Sequence, residues 1–236
     1  MMSPGYYSPT SALYVSIAGQ AMPPPNICDY VILDIPTNST QGYNRLDYDF
    51  LSVMSQTSKF LFTLPRDPGI STDRELIQMR SFVDQQNFRS VARELYNYIP
   101  VRGFGYLHFN YGTTANLSSL ASYVVDVYEK LEDSLKAEGY QEIANFITIQ
   151  FSGYITEDDE REFYVKLNGV VRFIVSETFS LKERSCSIEA VSSFDGHCYA
   201  GLYSPTVKAS LAQMLSVQNP KSTFVLSLNL QAIKYL

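Results

Sequence analysis

The sequence predicts an α+β fold in which mainly antiparallel sheets pack against two long helical segments and one or two short helices. Apolar residues make up 45% of the 236 residues and the net charge is only −6, which excludes a disordered chain. β-rich runs dominate the two ends of the chain and helical periodicity its middle, a segregation typical of α+β proteins. An Asn-Gly pair between two apolar runs also predicts an antiparallel hairpin. We expect residues 1–11 to be a flexible tail and residues 12–236 to form one domain.

The first third of the chain contains three short runs that predict strands, at residues 13–17, 30–35 and 60–64. Prolines 23 to 25 force an extended connection between the first two runs, because proline is excluded from a helix interior. A short helix is expected over residues 47–56.

Helical periodicity follows. A capping-box spacing at Thr72 opens the first helical segment, and the polar residues 84–87 interrupt it, which predicts a kink or two consecutive helices. The second segment places apolar residues on one face from Leu117 to Leu135. Glu132 and Lys136 are spaced for an i,i+4 ion pair, and Gly139 supplies the stop signal.

Strand signals dominate the remainder, apart from one short helix. Single strands are expected at 104–109, 146–151 and 223–233. Two further pairs of strands are expected, a hairpin of 163–167 with 170–175 and a pair of 186–191 with 197–203. A short helix is expected over 205–217. The hairpin turn is Asn168-Gly169, the dipeptide that best fits a two-residue turn.

Acidic charge is concentrated in the middle of the chain. Residues 103–162 hold 11 acids and 3 bases, whereas residues 163–236 hold 4 acids and 7 bases. The densest cluster contains Glu157, Asp158, Asp159 and Glu160. We interpret it as a solvated turn between two strands, or as a docking face for a basic partner. It lacks the ligand spacing and the central glycine of a calcium loop, so no metal site is predicted.

A weaker basic feature is carried by Arg89 and Arg93, which lie four residues apart and would share a helix face. Their guanidinium groups suit phosphate contacts, which makes nucleic-acid binding an alternative function. Interspersed acids leave this segment nearly neutral, so an ordinary salt-bridged helix surface is the preferred interpretation.

Few residues indicate catalysis. The chain has only two histidines. His108 lies in a predicted strand, where alternation places it on the face of Tyr106 and Asn110. We interpret it as a structural residue, because a catalytic role requires an acid partner that the sequence does not locate. His197 and Cys198 are adjacent in a strand and would point to opposite faces. No phosphate-binding glycine motif, nucleophile elbow or zinc helix is present, so we predict no catalytic residue, cofactor or metal.

These observations favour a non-enzymatic protein-interaction or self-assembly protein, for example a viral, phage or effector-type component. The chain has 18 Tyr and no Trp, and tyrosine is enriched at protein interfaces. A protein partner or a homo-oligomer is expected. The alternatives are a nucleic-acid-binding factor and an enzyme with a site assembled from scattered residues, with His108, Arg89, Arg93 and Asp47 as first candidates. An odd, sparse set of three cysteines without CxxC spacing and a start without a secretory pattern predict a cytoplasmic location away from membranes.

Overall fold

The computed structural model describes residues 6–7, 13–17, 29–34, 59–64, 72–99, 101–111, 117–151, 156–177 and 207–227. These contain eight strands and five helices. The strands are β1 Tyr6–Tyr7, β2 Leu13–Ile17, β3 Tyr30–Asp34, β4 Lys59–Thr63, β5 Val101–Tyr111, β6 Phe146–Phe151, β7 Phe173–Glu177 and β8 Thr223–Ser227. The helices are α1 Thr72–Val83, α2 Gln86–Tyr98, α3 Leu117–Ala137, α4 Glu157–Leu167 and α5 Val207–Leu215.

The strands form one curled sheet in chain order, from β1 to β8. Only β1 is antiparallel to its neighbour, whereas all strands from β2 to β8 run parallel. The predicted antiparallel α+β fold is therefore wrong, and the architecture is α/β. The physical reason lies in the connections, since each strand from β4 to β7 is followed by a helix that returns the chain to the start of the next strand.

Both faces of the sheet are covered. On the outer face, strand residues such as Phe62 and Ile147 form one core with all five helices, which contribute residues such as Leu95 and Leu131. The inner, concave face has a smaller apolar cluster that includes Leu61, Phe146, Phe173, Val175 and Val225. Strands buried on both sides read as continuous apolar runs, which explains the sequences of β4, β6 and β7.

The predicted hairpin across Asn168-Gly169 is also wrong. Its first half belongs to helix α4, which begins with a complete capping box. Thr156 Oγ1 accepts a hydrogen bond from Asp159 N–H at 3.2 Å, and the Asp159 carboxylate accepts one from Thr156 N–H at 2.7 Å. Gly169 follows the helix with φ +88°, a left-handed conformation that ends helices. The Asn-Gly pair thus terminates a helix, and β7 then pairs in parallel with β6.

Many individual elements are confirmed. The predicted strand at 146–151 matches β6, and the polar break separates two consecutive helices, α1 and α2. Helix α3 ends before Gly139, and Glu132 and Lys136 form the expected ion pair at 2.6 Å. The predicted helix over 47–56 and the strand pair of 186–191 with 197–203 lie outside the described residues. None of the helices in the described ranges is both long and apolar enough to cross a membrane.

Candidate functional site

A polar group lies on the concave face towards the carboxyl ends of β5, β6 and β7. It consists of His108, Thr148 and Glu177, one residue from each strand. Thr148 follows Phe146 on the same face of β6, and Glu177 follows Val175 on the same face of β7. In α/β proteins with parallel strands, ligands bind at the carboxyl ends of the strands.

His108 reaches this face through an irregularity in β5. Tyr106 pairs with Ile147 and Phe109 pairs with Ile149, so β5 contains one residue more than β6 over this stretch. This extra residue is a β-bulge, and His108 within it has φ +60°. A left-handed conformation at a residue other than glycine costs on the order of 1 kcal/mol and is concentrated at functional sites.

The bulge corrects the predicted orientation of His108. Strict alternation places His108 on the face of Tyr106, opposite Leu107 and Phe109. In the structure, Tyr106 and Phe109 both belong to the outer core, whereas Leu107 belongs to the inner cluster. Because the extra residue shifts the alternation by one, His108 faces the concave side with Thr148 and Glu177.

Hydrogen bonds close the three residues into a ring. His108 N–H donates to Thr148 Oγ1 at 2.7 Å, and the Thr148 hydroxyl donates to Glu177 Oε1. The same carboxylate oxygen lies 2.7 Å from His108 Nδ1. An ionised carboxylate only accepts hydrogen bonds, so its contact with His108 requires the ring proton on Nδ1. Glu177 therefore fixes the orientation and the tautomer of the imidazole ring, as the acid of a catalytic triad does.

Glu177 also has an unused oxygen. Its side chain is 3% exposed, and the side chain of His108 is 16% exposed. Within the described part of the chain, Glu177 Oε2 is buried and has no hydrogen-bond partner. A buried carboxylate oxygen without a donor is costly and calls for an explanation, such as a ligand or a catalytic role.

The acidic cluster lies at the start of a helix and not in a turn between two strands, as was predicted. Glu157, Asp158, Asp159 and Glu160 form the first turn of α4, where negative charge complements the helix dipole. Glu157 accepts a hydrogen bond from Gln213 of α5 at 3.3 Å, and Asp158 pairs with Arg161 at 2.8 Å. Glu160 is fully buried and accepts a hydrogen bond from the Tyr164 hydroxyl at 3.0 Å.

The two arginines of the nucleic-acid alternative lie on α2. Arg93 forms an ion pair with Glu138, with a distance of 2.6 Å from Nε to Oε2. Arg89 is partly buried, and its Nε has no hydrogen-bond partner in the described residues. Helix α2 packs on the outer face, so the sheet separates both arginines from His108. Asp47, His197 and Cys198 lie outside the described ranges.

The structure thus brings together His108, a predicted candidate, and two residues that the sequence analysis missed. The signal for Thr148 and Glu177 is a polar residue inside or directly after a buried apolar run, at Ile147-Thr148-Ile149 and at Val175-Ser176-Glu177. No cluster of three or more His, Cys, Asp or Glu that could hold a metal ion occurs among the residues described.

No family model and no curated protein matches the sequence. Among solved structures, the chain is similar to the chitinase domain of the spore coat protein CotE from Clostridium difficile, with a TM-score of 0.57 and 10% sequence identity. The match covers 94% of this chain and 65% of that domain, so this chain spans about two thirds of the chitinase domain. At this identity the likeness concerns the fold.

Proposed function

We propose that this protein is an enzyme in which His108 and Glu177 perform general acid–base catalysis at the carboxyl edge of the parallel sheet. The observation that carries the proposal is the buried carboxylate of Glu177. One of its oxygens orients His108, and the other has no partner in the described residues. An imidazole held by a carboxylate in one tautomer is the usual arrangement of a catalytic acid or base.

Glycosidic polymers are the first substrate class to test, because the structural neighbour is a chitinase domain. Hydrolysis of a glycosidic bond generally uses two carboxyl groups. Glu177 supplies one at the carboxyl edge.

The test compares hydrolysis of soluble chitin oligosaccharides and other polysaccharides by the wild-type chain and by Glu177→Gln. Glutamine keeps the shape of the side chain and still accepts hydrogen bonds from Thr148 and His108. We expect kcat/KM to fall by at least about a hundredfold, the scale of one acid–base group. Glu162→Gln removes an exposed carboxylate paired with Lys166 and is the matched control, with activity unchanged. No hydrolysis by the wild type, or equal activity of the two variants, would refute the proposal.

A spectroscopic measurement examines the pair independently of any substrate. The chain has only two histidines, so His197→Gln leaves a single imidazole ring for nitrogen NMR. We expect His108 to carry its proton on Nδ1, and Glu177→Gln to weaken that preference. A ring protonated on Nε2 alone in the parent protein contradicts the assigned hydrogen bond.

Protein interaction is a second proposal, and a specific surface supports it. Val165 of α4 and Leu215 of α5 are 53% and 76% exposed on two helices that pack together, and Leu211 is also exposed. Exposed apolar patches mark sites of protein–protein interaction. If this surface mediates self-assembly, light scattering will detect an oligomer that Leu215→Lys disrupts and that Ile77→Lys, an exposed control on α1, leaves intact. A monomer at every concentration argues against self-assembly.

A further inference from the structure

A second polar site lies at the opposite, amino-terminal end of the sheet. A cavity of about 230 Å³ opens where β6, β7 and β8 begin. Its polar lining includes Asn145, directly before β6, Arg172, directly before β7, and Lys221, shortly before β8. It involves none of the residues around His108 and Glu177, and it is independent of the proposed enzymatic function.

Asn145, which lines this cavity, has an unused donor. The residue is 2% exposed, and its Oδ1 accepts a hydrogen bond from Phe104 N–H at 3.0 Å. This bond fixes the orientation of the amide, because a flipped side chain would direct its NH₂ group at another donor. The Nδ2 atom is consequently left buried, with no hydrogen-bond partner in the described part of the chain. A buried donor of this kind calls for an acceptor.

The rim of the cavity is fixed by hydrogen bonds between two loops. Asn168 Oδ1 accepts from the backbone N–H groups of Lys221 at 2.7 Å and Ser222 at 3.1 Å. Ser222 Oγ in turn accepts from Gly169 N–H at 2.8 Å. These bonds hold the loop after α4 against the loop before β8, so the site is formed before any ligand arrives, which lowers the entropic cost of binding.

The lining of the cavity carries two positive charges and one negative charge, and the negative charge is paired with a lysine. Arg172 and Lys221 each contribute a cation. Glu132 is the carboxylate of the lining, and it is engaged by Lys136 at 2.6 Å. A guanidinium, an ammonium and an amide N–H₂ group are donors without acceptor capacity, and they match the oxygens of a small anion.

We propose that this cavity binds a small oxyanion of the size of phosphate, with Asn145 Nδ2, Arg172 and Lys221 as its donors. The occupant is either the free ion or the phosphate group of a small metabolite. Because the cavity opens at the amino-terminal end of the strands, a bound ligand would not block the carboxyl edge.

The experiment titrates inorganic phosphate into the full chain by isothermal calorimetry, with ionic strength held constant by chloride so that general screening does not change. We expect saturable binding to one site with a dissociation constant of about 1 mM or tighter. Glycerol phosphate is titrated in parallel. Tighter binding of the ester identifies a phosphorylated metabolite as the occupant, and equal binding identifies the free ion.

Two variants locate the binding. Lys221→Met removes one exposed cation, and Asn145→Asp keeps the acceptor for Phe104 N–H while replacing the buried donor with an oxygen. Both are expected to weaken phosphate binding at least tenfold, with circular dichroism confirming that each variant is folded. Lys130→Met removes a lysine that pairs with Asp84 outside the cavity and should have no effect. Absence of saturable binding by the wild type, or an equal loss in Lys130→Met, overturns the proposal; the first result would mean that Asn145 Nδ2 is satisfied by water alone.

Discussion

Tyr128 shows how a single side chain connects a helix to the sheet. Its ring is buried on α3, and its hydroxyl accepts a hydrogen bond from Tyr106 N–H at 3.0 Å and donates one to the Phe146 carbonyl at 2.5 Å. Tyr106 belongs to β5 and Phe146 to β6, which are the two strands that carry His108 and Thr148. The hydroxyl therefore joins these strands two residues before the candidate site.

Replacing this hydroxyl should destabilise the protein out of proportion to the one atom removed. Tyr128→Phe keeps the ring but removes the hydroxyl to which a buried N–H and a buried carbonyl are hydrogen-bonded. We expect the free energy of unfolding to fall by about 1–3 kcal/mol, as measured by urea denaturation. Tyr123→Phe removes a hydroxyl from an exposed ring on the same helix and should change it by less than about 0.5 kcal/mol. Equal effects of the two variants would contradict the assigned role.

The same residue predicts a dependence on alkaline pH. Burial raises the pKa of Tyr128 well above its ordinary value, although the hydrogen bond with the Tyr106 backbone opposes this shift. Since the folded pKa is the higher one, the unfolded state loses its proton first, at a pH of about 10. The stability due to Tyr128 is complete below that pH and decreases as the pH rises through and above it.

We therefore expect the stability difference between the wild type and Tyr128→Phe to narrow as the pH rises above about 10, by up to about 1.4 kcal/mol per pH unit. The measurement is urea denaturation of both proteins at several pH values from about 9 to 11. The other tyrosines are present in both proteins and cancel in the difference. A difference that stays constant over this range would show that Tyr128 is not the titrating group.

At the scale of the element, helix α4 shows where the sequence was misread. Phe163, Tyr164 and Leu167 are buried together with Glu160, which gives the i, i+3, i+4, i+7 spacing of a helix face. The aromatic and β-branched residues of the segment favour a strand intrinsically, and the Asn-Gly pair reinforced that interpretation. The capping box at Thr156 and the helical spacing of the apolar residues were the stronger signals, and both are visible in the sequence.

The cap should therefore contribute measurable stability. Thr156→Ala removes the side-chain acceptor for Asp159 N–H, so one of the first amides of α4 loses its partner. We expect a loss of about 1 kcal/mol in the free energy of unfolding. Ser90→Ala, at an exposed position inside α2, is the matched control and should be neutral or slightly stabilising, because alanine has the higher helix propensity. A neutral Thr156→Ala would mean that tertiary packing alone defines the start of α4.

At the scale of the whole molecule, the elements were more predictable than their arrangement. Local patterns located β2, β6 and α3, because propensity and periodicity act within a few residues. Whether two strands run parallel or antiparallel depends on which segments of the chain pair. A strand buried on both faces has no alternation of apolar and polar residues, so its sequence does not indicate its pairing. Only part of the candidate site could be predicted, for a related reason. His108 was a candidate from its chemistry, but its contact with Glu177 depends on parallel pairing across three strands and on a bulge that alternation does not foresee.

The parallel pairing of β5 with β6 depends on a close approach at Gly105. A Cβ atom added there would lie 1.9 Å from the Phe146 carbonyl oxygen and 2.7 Å from its carbonyl carbon. Both contacts are to backbone, so only a separation of the two strands would relieve them. Because these strands lie in the middle of the sheet and bury residues on both faces, such a separation would open the inner cluster and the outer core together.

We accordingly expect Gly105→Ala to cost more than about 4 kcal/mol, which belongs to the extreme class of single substitutions, and to yield protein that is unfolded or insoluble. Gly139→Ala is the control that separates sterics from backbone conformation. Gly139 has φ +91° but no atom within 4 Å of the added Cβ, so its substitution should cost only about 1 kcal/mol of backbone strain. Soluble expression and urea denaturation of both variants measure the difference. Similar losses in the two variants would mean that β5 and β6 are not in the close contact on which the positions of His108 and Thr148 depend.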